Sequence, residues 1–354
     1  MKQVASTEIR VPPLENSKGP RDVADMLRIP PVVLDTFCRE ETKAKFYTKH
    51  EIRKQSGGTS FRIVYEVLDP LKRVQKLVFL WLRDRIESAV RTRDSHIIHG
   101  FQRGRSFISN ASQHVGQGVI TVVDIRDFFG SISVGRVVRG FQSLGCCEIV
   151  SVVLGDLVTL NGTLPQGGRC SPILSNLVCP DLDACIRRIA ESRDLVVSRY
   201  ADDITFSGVG VVSKEEITSS LRQIGFDVRL NSYRVMRRGG PQYVTGLCVA
   251  DRQAVRVPRS VKRWLRLALY HARSDFLRHA ETMGREPSSE LNRLAGYVHY
   301  VASVEPQLAA SLYQQLNLIR DSYRAQTGQA GGNKSAADVL DEIARSVIRV
   351  SKPS

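Results

Sequence analysis

Three aspartates stand where their carboxylates contribute little to packing. Asp124 closes the β-branched run Ile120-Thr121-Val122-Val123, so its backbone belongs to a buried strand while its side chain emerges at the edge. Asp202 and Asp203 lie within LVVSRYADDITFSG (195–208), where two β-rich halves flank a polar tip, the pattern of a hairpin with acidic residues at its turn. Adjacent aspartates repel each other, and a purely structural turn more often uses Asn-Gly or Asp-Gly. A divalent cation relieves that repulsion. Carboxylates on neighbouring strands suit two Mg²⁺ ions about 3.5–4 Å apart, which lower the pKa of a sugar hydroxyl and stabilise a pyrophosphate leaving group. Taken singly, each acidic element reads more simply as an ordinary turn, and the flanking sequence has to decide.

The elements that position these residues follow from periodicity. Residues 1–40 carry Pro at 12, 13, 20, 30 and 31 and read as an arm with short helices. Residues 44–67 are strand-like around Gly57-Gly58, which predicts a hairpin. Pro70 opens a long helix with Leu71, Val74, Leu77, Val78, Trp81, Leu82, Ile86 and Val90 at helical spacing. Residues 118–124 read as a strand buried on both faces. Helices are predicted over about 134–144, 172–191 and 214–224, a strand near 226–231, and a second hairpin around 243–257. From Pro258 the pattern is helical apart from breaks at Pro287 and Pro306; QTGQAGGNKS (326–335) reads as a linker before a last helix over 336–350. Strand–helix alternation followed by an all-helical end gives an α+β core with a helical appendage.

Composition narrows the function classes. At 354 residues and 42% hydrophobic, the chain has material for two to three domain-sized units with packed cores. Seven cysteines, an odd number without a C-x-x-C pair, indicate neither a disulfide framework nor a structural zinc site, and reduced buried thiols are the simpler reading. The N-terminus lacks the apolar core of a signal peptide, and the longest apolar stretch (149–160) is interrupted by Asp156 and too short to span a bilayer. A cytoplasmic protein without a membrane partner is expected. The net charge of +15 points to a polyanion, most often nucleic acid. Between Arg229 and Arg266 there are ten basic residues and one acidic one, Asp251. A solvated helix face normally mixes both signs, so this stretch reads as a phosphate-contacting surface, with Tyr233 and Trp264 available for stacking.

The flanking residues then match a family. YADDITFSG (200–208) resembles the YxDD motif of reverse transcriptases, DIRDFFGSIS (124–133) resembles their first aspartate motif, and LPQGGRCSPILSN (164–176) is similar to the segment that lies against the incoming nucleotide. The three occur in the family's order. Further elements resemble the bacterial retron branch: Asn110-Ala111-Ser112-Gln113-His114, Val244-Thr245-Gly246, the segment from Lys54 to Gln75, GFQRGRSFISNA (100–111) and LNRLAGYVHYVASVEP (291–306). The resemblance covers about residues 40–320.

It implies a right-hand polymerase fold: an N-terminal arm and helices (1–40), fingers (41–115, with part of 140–195 interleaved), an antiparallel-sheet palm (116–250), a helical thumb (251–325), then a linker and C-terminal helix (326–354). Asp124, Asp202 and Asp203 are the implied catalytic and metal-binding residues, with the Ile125 carbonyl as a further ligand to two Mg²⁺ ions. Gln166 and Gly167 line the nucleotide site, Gly allowing close backbone approach. Arg62, and secondarily Lys54, hold the triphosphate. Phe129 matches the position where a ring crowds the sugar 2′ carbon, which implies a DNA product; Phe128 is assigned to the core. Asn110, His114, Thr245, Arg256, Arg259, Lys262 and Arg263 are candidate nucleic-acid contacts, His114 reading equally as a brace for the strand that carries Asp124, and Thr245 as a stabiliser of its hairpin. Two departures stand out. Gly168-Arg169-Cys170 replaces a variable segment that is often Ala-Pro-Thr, and Arg234 stands where relatives often carry a Lys proposed to protonate pyrophosphate. Arginine does not readily give up a proton, so electrostatic stabilisation at most is expected there.

The implied activity is RNA-directed DNA synthesis on a cognate structured non-coding RNA, primed from a guanosine 2′-OH to give branched msDNA, in an antiphage defence unit. Implied partners are that RNA and its RNA–DNA hybrid, dNTPs, an effector or toxin protein, and a host ribonuclease H, since the residues after the thumb are too few to form one. The competing readings are an intron-type maturase, an abortive-infection reverse transcriptase, and a catalytically silent RNA-binding scaffold.

Overall fold

A computed structural model describes residues 16–53, 61–91 and 96–327, with side chains described as far as Ile86 in the helix that ends at Arg91. Lys54, the Gly57-Gly58 turn, Val90 as a side chain, and the expected helix over 336–350 fall outside the described residues. The chain divides into two units, Met1–Thr245 and Gly246–Ser354.

The first unit is organised by a four-stranded antiparallel sheet in the order β4-β5-β3-β6, where β3 is Val119–Asp124, β4 Val196–Tyr200, β5 Asp203–Gly208 and β6 Arg234–Arg237. β3 is central and rich in Val, Ile and Thr, the residue types that suit a strand covered on both sides. β4 and β5 are joined by Ala201-Asp202 alone, with Tyr200 opposite Asp203. This tight reversal puts Ala201 in the left-handed region, at φ +58°. A separate hairpin pairs β1 (Tyr47–Arg53) with β2 (Phe61–Val67), as the pattern on either side of Gly57-Gly58 predicts.

The fourth strand comes from an unexpected place. The predicted strand near 226–231 is reduced to a single bridge between Val228 and Ile125, after which the chain turns and forms β6. Arg229 N–H donates to the Asp124 carbonyl at 2.8 Å and Asn231 is left-handed, so the segment turns away before a ladder can extend.

The helices of this unit are α1 (Pro20–Met26), α2 (Pro31–Cys38), α3 (Glu40–Lys43), α4 (Leu71–Arg91), α5 (Phe107–Ser112), α6 (Val134–Ser143), α7 (Glu148–Val158), α8 (Ser171–Leu177), α9 (Pro180–Glu191) and α10 (Lys214–Gln223). The apolar run read only as too short for a membrane is α7, and its Val150, Leu154, Leu157 and Val158 are buried. The helix expected over 172–191 is two, because Pro180 disfavours helical backbone in the preceding residue and starts α9 afresh. On α4 the predicted stripe is buried at Leu71, Val74, Val78, Trp81, Leu82 and Ile86, and Trp81 stacks on Phe141 of α6 at 6.2 Å. Gln75 on the same face is buried, its amide donating to the Tyr47 hydroxyl (2.9 Å) and the Leu157 carbonyl (3.0 Å).

Among its described residues the second unit has β8 (Leu247–Cys248), bridged back to Arg256, and four α-helices: α11 (Arg259–Ser274), α12 (Phe276–Thr282), α13 (Pro287–Val304) and α14 (Ala309–Thr327). A short strand, β7 (Tyr243–Val244), ends the first unit. An extra helix break falls at Asp275, whose side chain caps α12 by accepting from Arg278 N–H at 3.1 Å. Leu265, Ala268, Leu269 and Ala272 of α11 face the core with Leu294, Val298 and Val301 of α13 and Leu316 and Ile319 of α14. Among the described residues no helix is long and apolar enough to cross a membrane.

One buried ion pair ties the sheet to the helices. Arg199 of β4 is fully buried and its guanidinium donates to both Asp183 oxygens of α9, at 2.6 and 3.0 Å, and to the Ala201 carbonyl at 3.1 Å. Losing one partner strands a desolvated charge, whereas removing both does not. Arg199→Leu is therefore expected to cost about 3–5 kcal/mol in urea unfolding, and Arg199→Leu/Asp183→Leu to recover a large part of it; equal losses would show that the pair is not the source.

Candidate active site

Strand register brings the sequence-distant aspartates together. Asp124, the last residue of β3, pairs directly with Asp203, the first residue of β5. One residue further on, Ile125 N–H donates to the Asp202 carbonyl at 2.9 Å. The turn between the strands is held from behind. At Gly100 an added Cβ would lie 2.5 Å from Ala201 N, so only glycine lets the two backbones pass this closely. Asn176 Nδ2 donates to the Gly100 carbonyl at 2.8 Å, and Arg199 anchors Ala201 as described above.

The electrostatics of the cluster are strained. Burial first, then Asp202, raises the pKa of Asp124 to about 7, against the opposing pull of Arg229 and Arg62. Asp203 keeps solvent access, yet the surrounding protein and Asp202 push its pKa to about 6, with Arg229, Arg234 and Arg62 pulling the other way. Arg229 Nη1 sits 2.8 Å from Asp124 Oδ2, while Asp124 Oδ1 is buried with no hydrogen-bond partner among the described residues. Sequence reasoning missed Arg229 as a member of this site, counting it only within the basic stretch. Among the described residues no three acidic, imidazole or thiol groups stand close enough to enclose an ion as they are. The donors nevertheless fit one: hard carboxylate oxygens crowded beyond what their basic neighbours neutralise, one of them orphaned.

The Gln166-Gly167 loop docks on the β1–β2 hairpin through its backbone. Tyr65 N–H of β2 donates to the Gln166 carbonyl at 2.7 Å. Gly167 is left-handed at φ +100°, and a Cβ there would collide with the Tyr65 carbonyl and lie 2.9 Å from Val64 Cγ1. Arg62 is exposed two residues before Val64, hence on the same face of β2 as the residue that meets Gly167. Arg169 is exposed between buried Gly168 and Cys170. Phe128 is buried, as expected, against Phe226 at 6.0 Å. Phe129 is half-buried and abuts the exposed ring of Phe101 at 6.2 Å, a neighbour that no sequence signal singled out.

Several residues expected at a nucleic-acid surface are elsewhere. His114 is buried, its Nδ1 2.6 Å from Ser207 Oγ and its Nε2 2.7 Å from Ser198 Oγ, and burial lowers its pKa to about 3. It braces β4 and β5 rather than the strand of Asp124, with its ring buried. Asn110 is buried too, its amide without a partner among the described residues. The Thr245 hydroxyl donates to the Phe107 carbonyl at 2.9 Å, so it ties β7 to α5. Lys262 Nζ is held by the buried Glu305 at 2.7 and 3.0 Å, and Arg256 pairs with Asp251 at 3.1 Å. Arg259 and Arg263 are exposed, as is Arg266. Neither ring expected to stack is free: Tyr233 donates to the Val212 carbonyl at 2.8 Å, and Trp264 already meets the Arg293 guanidinium (4.7 Å) and the tilted ring of Tyr297 (4.5 Å).

With this geometry in place, comparison with known proteins decides the family. Residues 52–231, just over half of the chain, match the family described as reverse transcriptase (RNA-dependent DNA polymerase). The chain belongs to this family. As a reverse transcriptase it has a polymerase fold with an antiparallel palm-type sheet and is an RNA-directed DNA polymerase. Within the family it is similar to retron enzymes, as the motifs implied. The retron Ec86 reverse transcriptase of Escherichia coli is 27% identical over 281 residues, covering 78% of this chain and 82% of that protein. The retron Mx65 reverse transcriptase of Myxococcus xanthus is 29% identical over 315 residues, covering 82% and 69%. The retron Se72 reverse transcriptase of Salmonella heidelberg is 34% identical over 175 residues, covering 49% of this chain and 44% of that one. Among solved structures, telomerase from Candida albicans with a telomeric RNA fragment aligns at a TM-score of 0.43 and 11% identity, over 77% of this chain and 63% of that one.

The raised carboxyl pKa values make stability pH-dependent. Asp124 (about 7) and Asp203 (about 6) hold protons more tightly when folded than an unfolded aspartate, whose pKa is about 4, does. Their contribution is fully present below about pH 4 and is lost as pH rises through 6 and 7. In chelator, Tm is expected to fall between about pH 5 and pH 8, and to fall less in Asp124→Asn. Identical slopes in the two proteins would remove the cluster as the cause.

Proposed function

We propose that this chain is the reverse transcriptase of a retron, copying its own structured non-coding RNA into DNA. Synthesis starts from the 2′-OH of a specific guanosine and yields the branched RNA–DNA species msDNA. Residues 41–115, with part of 140–195, serve as fingers, 116–250 as palm and 251–325 as thumb. The polymerase chemistry is carried by one observation: Asp124 meets Asp203 in register beside Asp202. The retron reading is supported by the relatives, whose names describe retron enzymes across most of this chain.

Asp124, Asp202 and Asp203 would hold two Mg²⁺ ions, with the Ile125 carbonyl as a further ligand, and the ions supply Lewis acidity toward the attacking hydroxyl and the leaving pyrophosphate. The residues of the chain do the rest. Gln166 and Gly167 present backbone to the incoming dNTP, and Arg62, on the adjacent face of β2, grips its triphosphate with charge-assisted hydrogen bonds. Lys54 has the same role at second rank. Phe129, backed by Phe101, presses on the sugar 2′ carbon and excludes a hydroxyl. Arg234 offsets negative charge near Asp203 without donating a proton. Arg259 and Arg263, joined by Arg266 in place of Lys262, contact phosphates of the RNA or its hybrid. The protein acts in the cytoplasm beside an effector or toxin protein of an antiphage unit, and a host ribonuclease H removes the template. Three retained aspartates weigh against a silent RNA-binding scaffold, which would have no use for them.

Asp203→Asn is expected to lower DNA synthesis on the cognate RNA by about 10²–10³-fold or more, with RNA affinity in a filter-binding assay little changed. Retained synthesis would refute the assignment. Phe129→Ala is expected to reduce the preference for dNTP over rNTP, measured as a ratio of kcat/KM, by about tenfold or more; an unchanged ratio would place the gate on another residue.

A further inference from the structure

Arg229 is attached to Asp124 twice, once by its main chain and once by its side chain. Its N–H donates to the Asp124 carbonyl at 2.8 Å. Ser232 reinforces that hold: its hydroxyl accepts from Asp124 N–H at 3.1 Å and lies 2.9 Å from the Arg229 carbonyl and 3.3 Å from the Asp124 carbonyl. Asn231, left-handed at φ +62°, supplies the turn between them. The root of Arg229 is thus fixed on the strand end, and only its side chain is free to swing. That side chain remains 33% exposed, against 17% for Asp124. Its guanidinium occupies Oδ2 at 2.8 Å and leaves Oδ1 buried and, among the described residues, unpartnered. A structural arginine would more often engage both oxygens as a fork. A single contact from a partly exposed guanidinium to a half-satisfied carboxylate is the geometry of a cation that can be exchanged.

We propose that Arg229 is a resident counter-ion for the metal site: it neutralises Asp124 while no ion is bound and yields Oδ2 to a divalent cation on loading. The inference rests on the reading of Asp124 as a metal ligand. Its chemical content is competition: the incoming ion has to displace a charged hydrogen bond, so affinity for the ion is set below what the carboxylates alone provide, and the main-chain anchor keeps the displaced guanidinium nearby for return. The carboxylates are thereby spared from facing one another without a positive charge among them.

The test measures binding of Mn²⁺ to the full-length protein without nucleotide or RNA, by loss of the free-ion EPR signal, in wild type, Arg229→Lys, Arg229→Gln and Asp124→Asn. Affinity is expected to rise from wild type through Arg229→Lys to Arg229→Gln, by about tenfold overall, because lysine keeps the charge but is held less specifically and glutamine removes it. Should Arg229→Gln fail to fold, the lysine variant alone carries the comparison, with a rise of about threefold. Asp124→Asn is expected to bind Mn²⁺ far more weakly. Unchanged or weaker binding in both Arg229 variants, with binding lost in Asp124→Asn, would overturn the counter-ion role and leave the metal site standing. Wild-type binding in Asp124→Asn would overturn both, since no exchange could then occur at that oxygen.

Discussion

Carboxylates crowded into one site have to be held against their own repulsion, and in this protein the main chain does the holding. Two like charges about 5 Å apart cost about 3 kcal/mol at an effective dielectric of about 20, more than any single backbone hydrogen bond returns. The β3–β5 ladder, continued by the bond from Ile125 to Asp202, spreads that load over many bonds. Arg199 and Gly100 then fix the turn from behind, one by a buried ion pair and one by leaving out a side chain. Charge from Arg229, Arg62 and Arg234 offsets the remainder. Metal-ligand chemistry of the kind proposed needs this arrangement to exist before any ion arrives.

The Gln166-Gly167 loop, proposed to meet the nucleotide, follows the same logic with different parts. Its position depends on main-chain contact with β2, and the left-handed Gly167 is what lets two backbones approach so closely. The side chain of Arg62, proposed to grip the triphosphate, is therefore carried on a backbone that is already positioned.

Much of this was legible in the chain itself, for identifiable reasons. β3 and the β4–β5 hairpin announce themselves because β-branched runs bounded by acidic residues have few other uses, and α4 because its apolar residues recur at helical spacing. The polymerase motifs named Asp124, Asp202 and Asp203, and register brought two of them face to face. Local pattern failed where long-range contacts dominate. The segment after Phe226 looks extended, but its bonds to Asp124 and the turn at Asn231 stop it at one bridge, and β6 forms further along. The retron-like motif offered Asn110 and His114 as nucleic-acid contacts and His114 equally as a brace, and local sequence could not show that two serines on adjacent strands enclose its imidazole. The basic stretch overstated its free charge for a related reason: Arg229, Arg256 and Lys262 each find a carboxylate that is distant in sequence or offset along a turn.

The bond between Tyr65 and Gln166 has a bearing on how this enzyme can vary. Side chains alternate along a strand, so sliding β2 by a single position would carry Arg62 to the opposite surface and present a neighbour in its stead. Because the same strand is pinned both to β1 and to the loop, the two attachments can shift only in concert. A change in the length of the connection between the two hairpin strands is therefore expected to leave this alignment in place, so that Arg62, proposed to grip the triphosphate, keeps its offset from Tyr65.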